Sequence, residues 1–175
     1  MGRRQAIAQA IKRKAYKYHM LVHVFLGLLC AYIVMHTFPN ANGWRIIWIA
    51  ILGSVIPDVD HLLFMFIYGR KSEYAKIIRA FVKNKEFRKA LSFMKDNHKT
   101  NTGLYSHNIL ALIISIYLAW YLGDSRDRAG FYVFFMSWSV QYVFDMFEDL
   151  IFLRRFNPNW FMRFNRVPKK ADPKE

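Results

Sequence analysis

Met20–Phe38 is a run of 19 residues without Asp, Glu, Lys or Arg, and three comparable runs follow it. Trp44–Tyr68, 25 residues, is apolar except for Arg45 and a polar cluster at Pro57–His61. Leu104–Leu122, 19 residues, has His107 as its only ionisable group apart from tyrosine. Gly130–Leu153, 24 residues, is apolar except for Gln141, Asp145, Glu148, Asp149 and small hydroxyl residues. A bilayer core about 30 Å thick is crossed by roughly 20 apolar residues in helical form. The runs therefore predict an all-α integral membrane protein with four transmembrane helices at about 20–38, 44–68, 104–122 and 130–153. The first run is long for the apolar region of a signal peptide, and no small-x-small cleavage site follows it.

The charges lie between the runs. Residues 1–19 carry six Lys/Arg and no acid, residues 69–103 carry ten against three acids, and residues 154–175 carry seven against two. Pro39–Gly43 is uncharged, and Gly123–Ala129 has two acids and two Arg. In a four-span chain all three basic segments fall on one side, which the positive-inside rule makes cytoplasmic. Both termini are then cytoplasmic, and the protein is a multi-pass component of the plasma (inner) membrane. The same rule accounts for the net charge of +14. Basic segments beside spans meet anionic headgroups, whereas nucleic-acid binding needs more than charge. A disordered basic tail is excluded by 16 Phe, 10 Tyr and 5 Trp. Cys30 is the single cysteine, so there is neither a disulfide framework nor a cysteine-based metal site.

Three regions follow: a basic amphipathic segment at 1–19, a membrane domain at 20–153, and a basic cytoplasmic tail at 154–175. The membrane domain includes an insert at 69–103. There, Ile77, Ile78, Phe81, Val82, Phe87, Leu91, Phe93 and Met94 alternate with Lys and Arg at near-helical spacing. That pattern predicts one or two amphipathic helices on the cytoplasmic surface, between spans 2 and 3.

Ionisable groups inside spans are costly, about 2.5–3.5 kcal/mol for an Asp at a helix centre on insertion scales, and mark functional sites. His23 lies six residues after Lys17, His61 nine before Arg70, His107 eight after Lys99, and Asp145 nine before Arg154. At 1.5 Å per residue, all four lie within roughly 9–14 Å of a cytoplasmic charge. Side chains from four helices thus share one level. With Asp58 and Asp60 they form a donor set of three His and three Asp. Imidazole favours zinc and other transition metals, and carboxylates admit manganese or magnesium. The set predicts one or two divalent ions, zinc or manganese first, able to activate water for hydrolysis. Asp58 and His61 share a helix face at i, i+3. Pro57 should kink or break its helix, a distortion that would also help Asp60 to reach the ion. His19, His23 and Gly27 share one face of span 1, and Gly27 permits close helix approach. His19 and His98 have basic neighbours near the cytoplasmic surface and read as solvated.

The motifs resemble those of the YdjM-like family of inner-membrane metal-dependent hydrolases, LexA-regulated in some members. That family has a His in the first helix, Leu-Pro-Asp-x-Asp-His in the second, His-Arg-Gly-x-Thr-His-Ser entering the third, and His-x-x-x-Asp in the fourth. Here His23 matches the first, and Ile56-Pro57-Asp58-Val59-Asp60-His61 matches the second almost completely. Ser106-His107-Asn108 stands at the third, and Gln141 with Asp145 at the fourth. Thr102, Gly103, Leu104 and Gln141 depart from the pattern, so two potential ligands are missing. The resemblance covers about residues 20–150.

The leading expectation is a membrane-embedded, metal-dependent hydrolase acting on a phosphoester or phospholipid at the cytoplasmic headgroup level. His23, Asp58, Asp60, His61, His107 and Asp145 would hold metal, with Asp60 and Asp58 at the chemistry. Gln141, Ser106, Arg70, Lys71 and Lys99 would surround the ions or receive phosphate. The competing expectation is a non-catalytic module. In it, the polar cluster staples the bundle and the basic surface binds anionic lipid, a protein partner or a second copy of the chain.

Overall fold

The computed structural model describes residues 3–101, 107–123, 126–153 and 160–161. Among these there are six α-helices and no strand. In chain order they are α1 (Arg3–Thr37), α2 (Gly43–Leu63), α3 (Glu73–Lys83), α4 (Phe87–Asn101), α5 (Ile109–Leu122) and α6 (Ala129–Leu153). A π-helical segment, Phe64–Tyr68, continues α2, and a 3-10 turn, Arg126–Arg128, precedes α6. Two stretches are long and apolar enough to cross a membrane, Tyr18–Thr37 and Gly43–Tyr68. The apolar helix α5 has 14 residues, a rise of about 21 Å, short of a bilayer core.

Two compact units divide the chain: Met1–Pro57 with Ile109–Asn157, and Asp58–Asn108 with Pro158–Glu175. In the first, α6 packs against α1 and α5. Its core is made of Cys30, Ala31 and Val34 from α1, Ile46 and Ala50 from α2, and Ala129 and Val133 from α6. Small residues let these helices approach. A Cβ at Gly27 would lie 2.7 Å from Ser54 Oγ and 2.9 Å from the Ala50 carbonyl, and one at Gly53 would overlap the Phe134 backbone. Such contacts suit helices that associate in lipid by packing rather than by exclusion of water. The Ser139 hydroxyl, on α6, donates to Ser115 Oγ on α5 at 2.9 Å. Large apolar side chains point outward, among them Trp48 (66% exposed) and Trp120 (75%).

Local chemistry sets the α1–α2 junction. Pro39 stands two residues beyond the end of α1, where a helix cannot easily continue. Asn42 caps α2, its Oδ1 accepting from the Arg45 amide at 3.1 Å. Of the kink or break expected at Pro57, the break does not occur: the proline is inside α2, which runs on to Leu63. Pro57 is fully buried, and a carbonyl freed by proline is tolerated where neighbouring protein surrounds it. The irregularity comes later, where the Gly69 amide donates to the Phe64 carbonyl at 2.8 Å, five residues back.

In the second unit, α3 packs against α4 and the π-helical segment. Phe64, Met65, Tyr74, Ile78 and Ala90 form its core, with Phe81, Phe93 and Met94 packed against them. Burial pushes the Tyr74 phenol well above its usual range. Ser72 caps α3 by accepting from the Ala75 amide at 3.1 Å. Lys85, at φ 60, turns the chain between α3 and α4. Its amide bonds the Val82 carbonyl at 3.0 Å and the Glu86 amide bonds the Phe81 carbonyl at 2.8 Å, a Schellman closure with lysine where glycine is usual. The insert thus forms a helical hairpin, with Ile78 inside and Phe87 and Leu91 exposed.

Candidate metal centres

Each unit brings together one group of three donors suited to a cation. In the second unit these are Asp58, His61 and His107, with one ligand atom from each within 4.8 Å of the others. Asp58 and His61 come from one face of α2 at i, i+3. His107 lies two residues before α5. Its Nε2 is 3.9 Å from Asp58 Oδ1, and its ring meets the His61 ring at a centroid distance of 5.4 Å. Trp160 stands 6.1 Å from the His107 ring. His107 is buried, while Asp58 and His61 are half-buried. Three protein donors leave a coordination position for water or substrate, the arrangement of catalytic zinc sites.

Asp60 is buried beside this group but is not one of its three donors. Its Oδ1 accepts a 2.6 Å hydrogen bond from the Tyr68 hydroxyl. Helical side chains lean toward the N-terminus, so Tyr68, in the π-helical segment, reaches back along its own helix to Asp60. Arg70 and Lys71 are exposed in the turn after that segment. The Arg70 carbonyl accepts from Arg79 Nη2. Lys99 belongs to α4, but its side chain, like Ser106 as a whole, lies outside the described residues.

In the first unit the donors are His19, His23 and Asp145, again within 4.8 Å of one another. His19 and His23 stand one turn apart on α1, and Asp145 comes from α6. His23 Nε2 is 3.2 Å from Asp145 Oδ1, and His19 Nε2 is 3.9 Å from the same oxygen. The two imidazoles lie 4.1 Å apart, centroid to centroid. The other ring nitrogens face Gln141 and Glu148, and His19 Nδ1 makes no hydrogen bond. Gln141 Nε2 lies 3.1 Å from His23 Nδ1, and Glu148 Oε2 lies 3.6 Å from His19 Nδ1. His23 and Gln141 are fully buried.

The six residues expected to hold metal therefore appear as Asp58, His61 and His107 together, His23 with Asp145 together, and Asp60 bonded to Tyr68. His19 was read as solvated. It is instead half-buried and packed against His23 with the rings tilted, because α1 turns the His19–His23 face toward α6. The His-x-x-x-His spacing was the signal that could have found it, since i, i+4 places two imidazoles on one helix face. Nothing in the sequence marks Tyr68.

A family model described as YdjM inner membrane protein matches residues 19–165, more than four fifths of the chain. No curated protein and no solved structure matches it.

Proposed function

This chain belongs to the YdjM inner membrane protein family, and from that premise we propose that it is a membrane-embedded, metal-dependent hydrolase of phosphoesters at the cytoplasmic headgroup level. The observation that carries the reading is the meeting of Asp58, His61 and His107 in a membrane-family chain. Histidine and carboxylate so gathered suit a zinc-class or manganese ion. When bound, such an ion supplies Lewis acidity, polarising a phosphoryl oxygen and making water acidic enough to react near neutral pH.

The chain's own residues do the rest. Asp58, His61 and His107 would hold the ion, and His23 and Asp145 would belong with the metal-holding residues of the other unit. Asp60, with Oδ1 fixed by Tyr68, takes the proton of the attacking water on its carboxylate and returns it to the leaving oxygen. Arg70 and Lys71 receive the phosphate charge. In this reading the chain crosses the inner membrane four times with both termini inside, and its basic hairpin rests on anionic headgroups.

The test uses purified protein in liposomes containing zinc or manganese. Hydrolysis of a lipid or soluble phosphoester is expected from the native chain and is lost in Asp60→Asn, with the helical fold retained. Native rates from a folded Asp60→Asn protein rule the assignment out.

A further inference from the structure

We infer that His19 is a metal ligand, completing with His23 and Asp145 a divalent-ion site that fastens α1 to α6, with Glu148 and Gln141 as its orienting residues. The inference rests on the metal-binding reading of His23 and Asp145, adds His19 and Glu148 to it, and gives Gln141 a defined place beside His23.

Three features of geometry carry it. The first is the donor triangle. An ion about 2.0–2.1 Å from each of three tetrahedral donors sets those donors roughly 3.3 Å apart. Here Asp145 Oδ1 is 3.2 Å from His23 Nε2 and 3.9 Å from His19 Nε2, and one ligand atom from each of the three residues lies within 4.8 Å of the others. Modest side-chain shifts therefore close the triangle around an ion.

The second feature is the direction of the two rings. Both present Nε2 to the same carboxylate oxygen, while His23 Nδ1 meets Gln141 at 3.1 Å and the unbonded His19 Nδ1 faces Glu148 at 3.6 Å. A ligating histidine commonly gives its second ring N–H to a carboxylate or carbonyl oxygen, which fixes its tautomer. Glu148 Oε2 lies 3.6 Å from His19 Nδ1, just beyond hydrogen-bond length, and is the carboxylate that would take that position for His19. Gln141 stands there for His23. With the amide turned over, Oε1 accepts from the His23 Nδ1–H and leaves His23 Nε2 free for the ion.

The third feature is an orphan. Gln141 Oε1 is buried and has no hydrogen-bond partner in the orientation given, on a side chain that is 0% exposed. The turned amide gives Oε1 the His23 Nδ1–H and puts Nε2 in the unpartnered place, so an orphan remains beside His23 in either orientation; the turned amide is the one that suits metal at His23 Nε2. Two imidazoles in the donor set select a transition ion of the zinc class over magnesium or calcium.

The test counts ions on the full-length protein in nanodiscs after chelation and reloading with zinc, under competition from a chelator of known affinity. Two ions per chain are expected. His19→Gln should lose one, His61→Gln the other, and Glu148→Gln or Gln141→Leu should weaken the first by about 10–100-fold. His19→Gln keeps a polar group at a half-buried position, and a retained thermal transition shows that the variant folds. A single ion kept in His19→Gln and lost in His61→Gln overturns this inference and leaves the proposed catalytic site standing. A single ion lost in His19→Gln and kept in His61→Gln supports the inference and overturns the catalytic assignment. Two ions of native affinity in His19→Gln overturn it, and so does a native chain that takes up no zinc.

Discussion

The Tyr68 hydroxyl donates a 2.6 Å hydrogen bond to Asp60 Oδ1, joining the π-helical segment to the Asp58–His61 stretch of the same helix. A buried carboxylate that loses such a partner keeps its desolvation cost. Tyr68→Phe is therefore expected to lower stability by about 1–3 kcal/mol. It should lower hydrolysis as well, because Asp60 loses its fixed orientation. Thermal unfolding in nanodiscs reads the first effect. A melting temperature equal to that of the native protein would show that this bond carries no weight.

Gly53 lies where α2 touches the backbone of α6 at Phe134. Backbone cannot swing aside, so Gly53→Ala should force the helices apart and cost about 1–3 kcal/mol. Gly27→Ala meets the Ser54 side chain and the Ala50 carbonyl, so part of its strain can be relieved by the serine. The expected order of melting temperatures is native, then Gly27→Ala, then Gly53→Ala. An unchanged Gly53→Ala protein would contradict the close approach.

Topology follows from the loop charges. Fusions of a periplasm-active reporter at residues 41 and 126 should be active, and those at 85 and 172 silent. Activity at 85 would put the α3–α4 hairpin on the wrong side for cytoplasmic headgroups. Silence at 41 would remove the common depth from which the donor set was read.

Much of this was legible from run length and helix spacing alone. The two stretches Tyr18–Thr37 and Gly43–Tyr68 stand out because an apolar run of that length has few other uses. That His61 and His107 lie at one level followed from counting residues, which needs no coordinates; their meeting with Asp58 did not. Other features were not readable. Pro57 argued for a break, but burial on all sides let α2 continue to Leu63. The register change came at Phe64–Tyr68 instead, where no sequence pattern announces it, and with it came the Tyr68–Asp60 bond. His19 was obscured by Lys17, whose charge suggested solvent, although its spacing from His23 placed both on one face. A single six-residue constellation was the natural reading of matched depths. Depth gives height along the membrane normal and no lateral position, so it could not show that His23 and Asp145 belong to one unit and Asp58, His61 and His107 to the other.

Metal content is the most direct test of a metal-dependent function, measured by inductively coupled plasma mass spectrometry on protein purified from membranes without chelators. The native chain should carry divalent zinc or manganese. Asp58→Ala and His61→Ala should each carry about one ion fewer and melt at lower temperature, because an ion held only by the folded state stabilises it. Native metal content in both folded variants would contradict the assignment of Asp58, His61 and His107 as a metal site, and with it the proposed hydrolase.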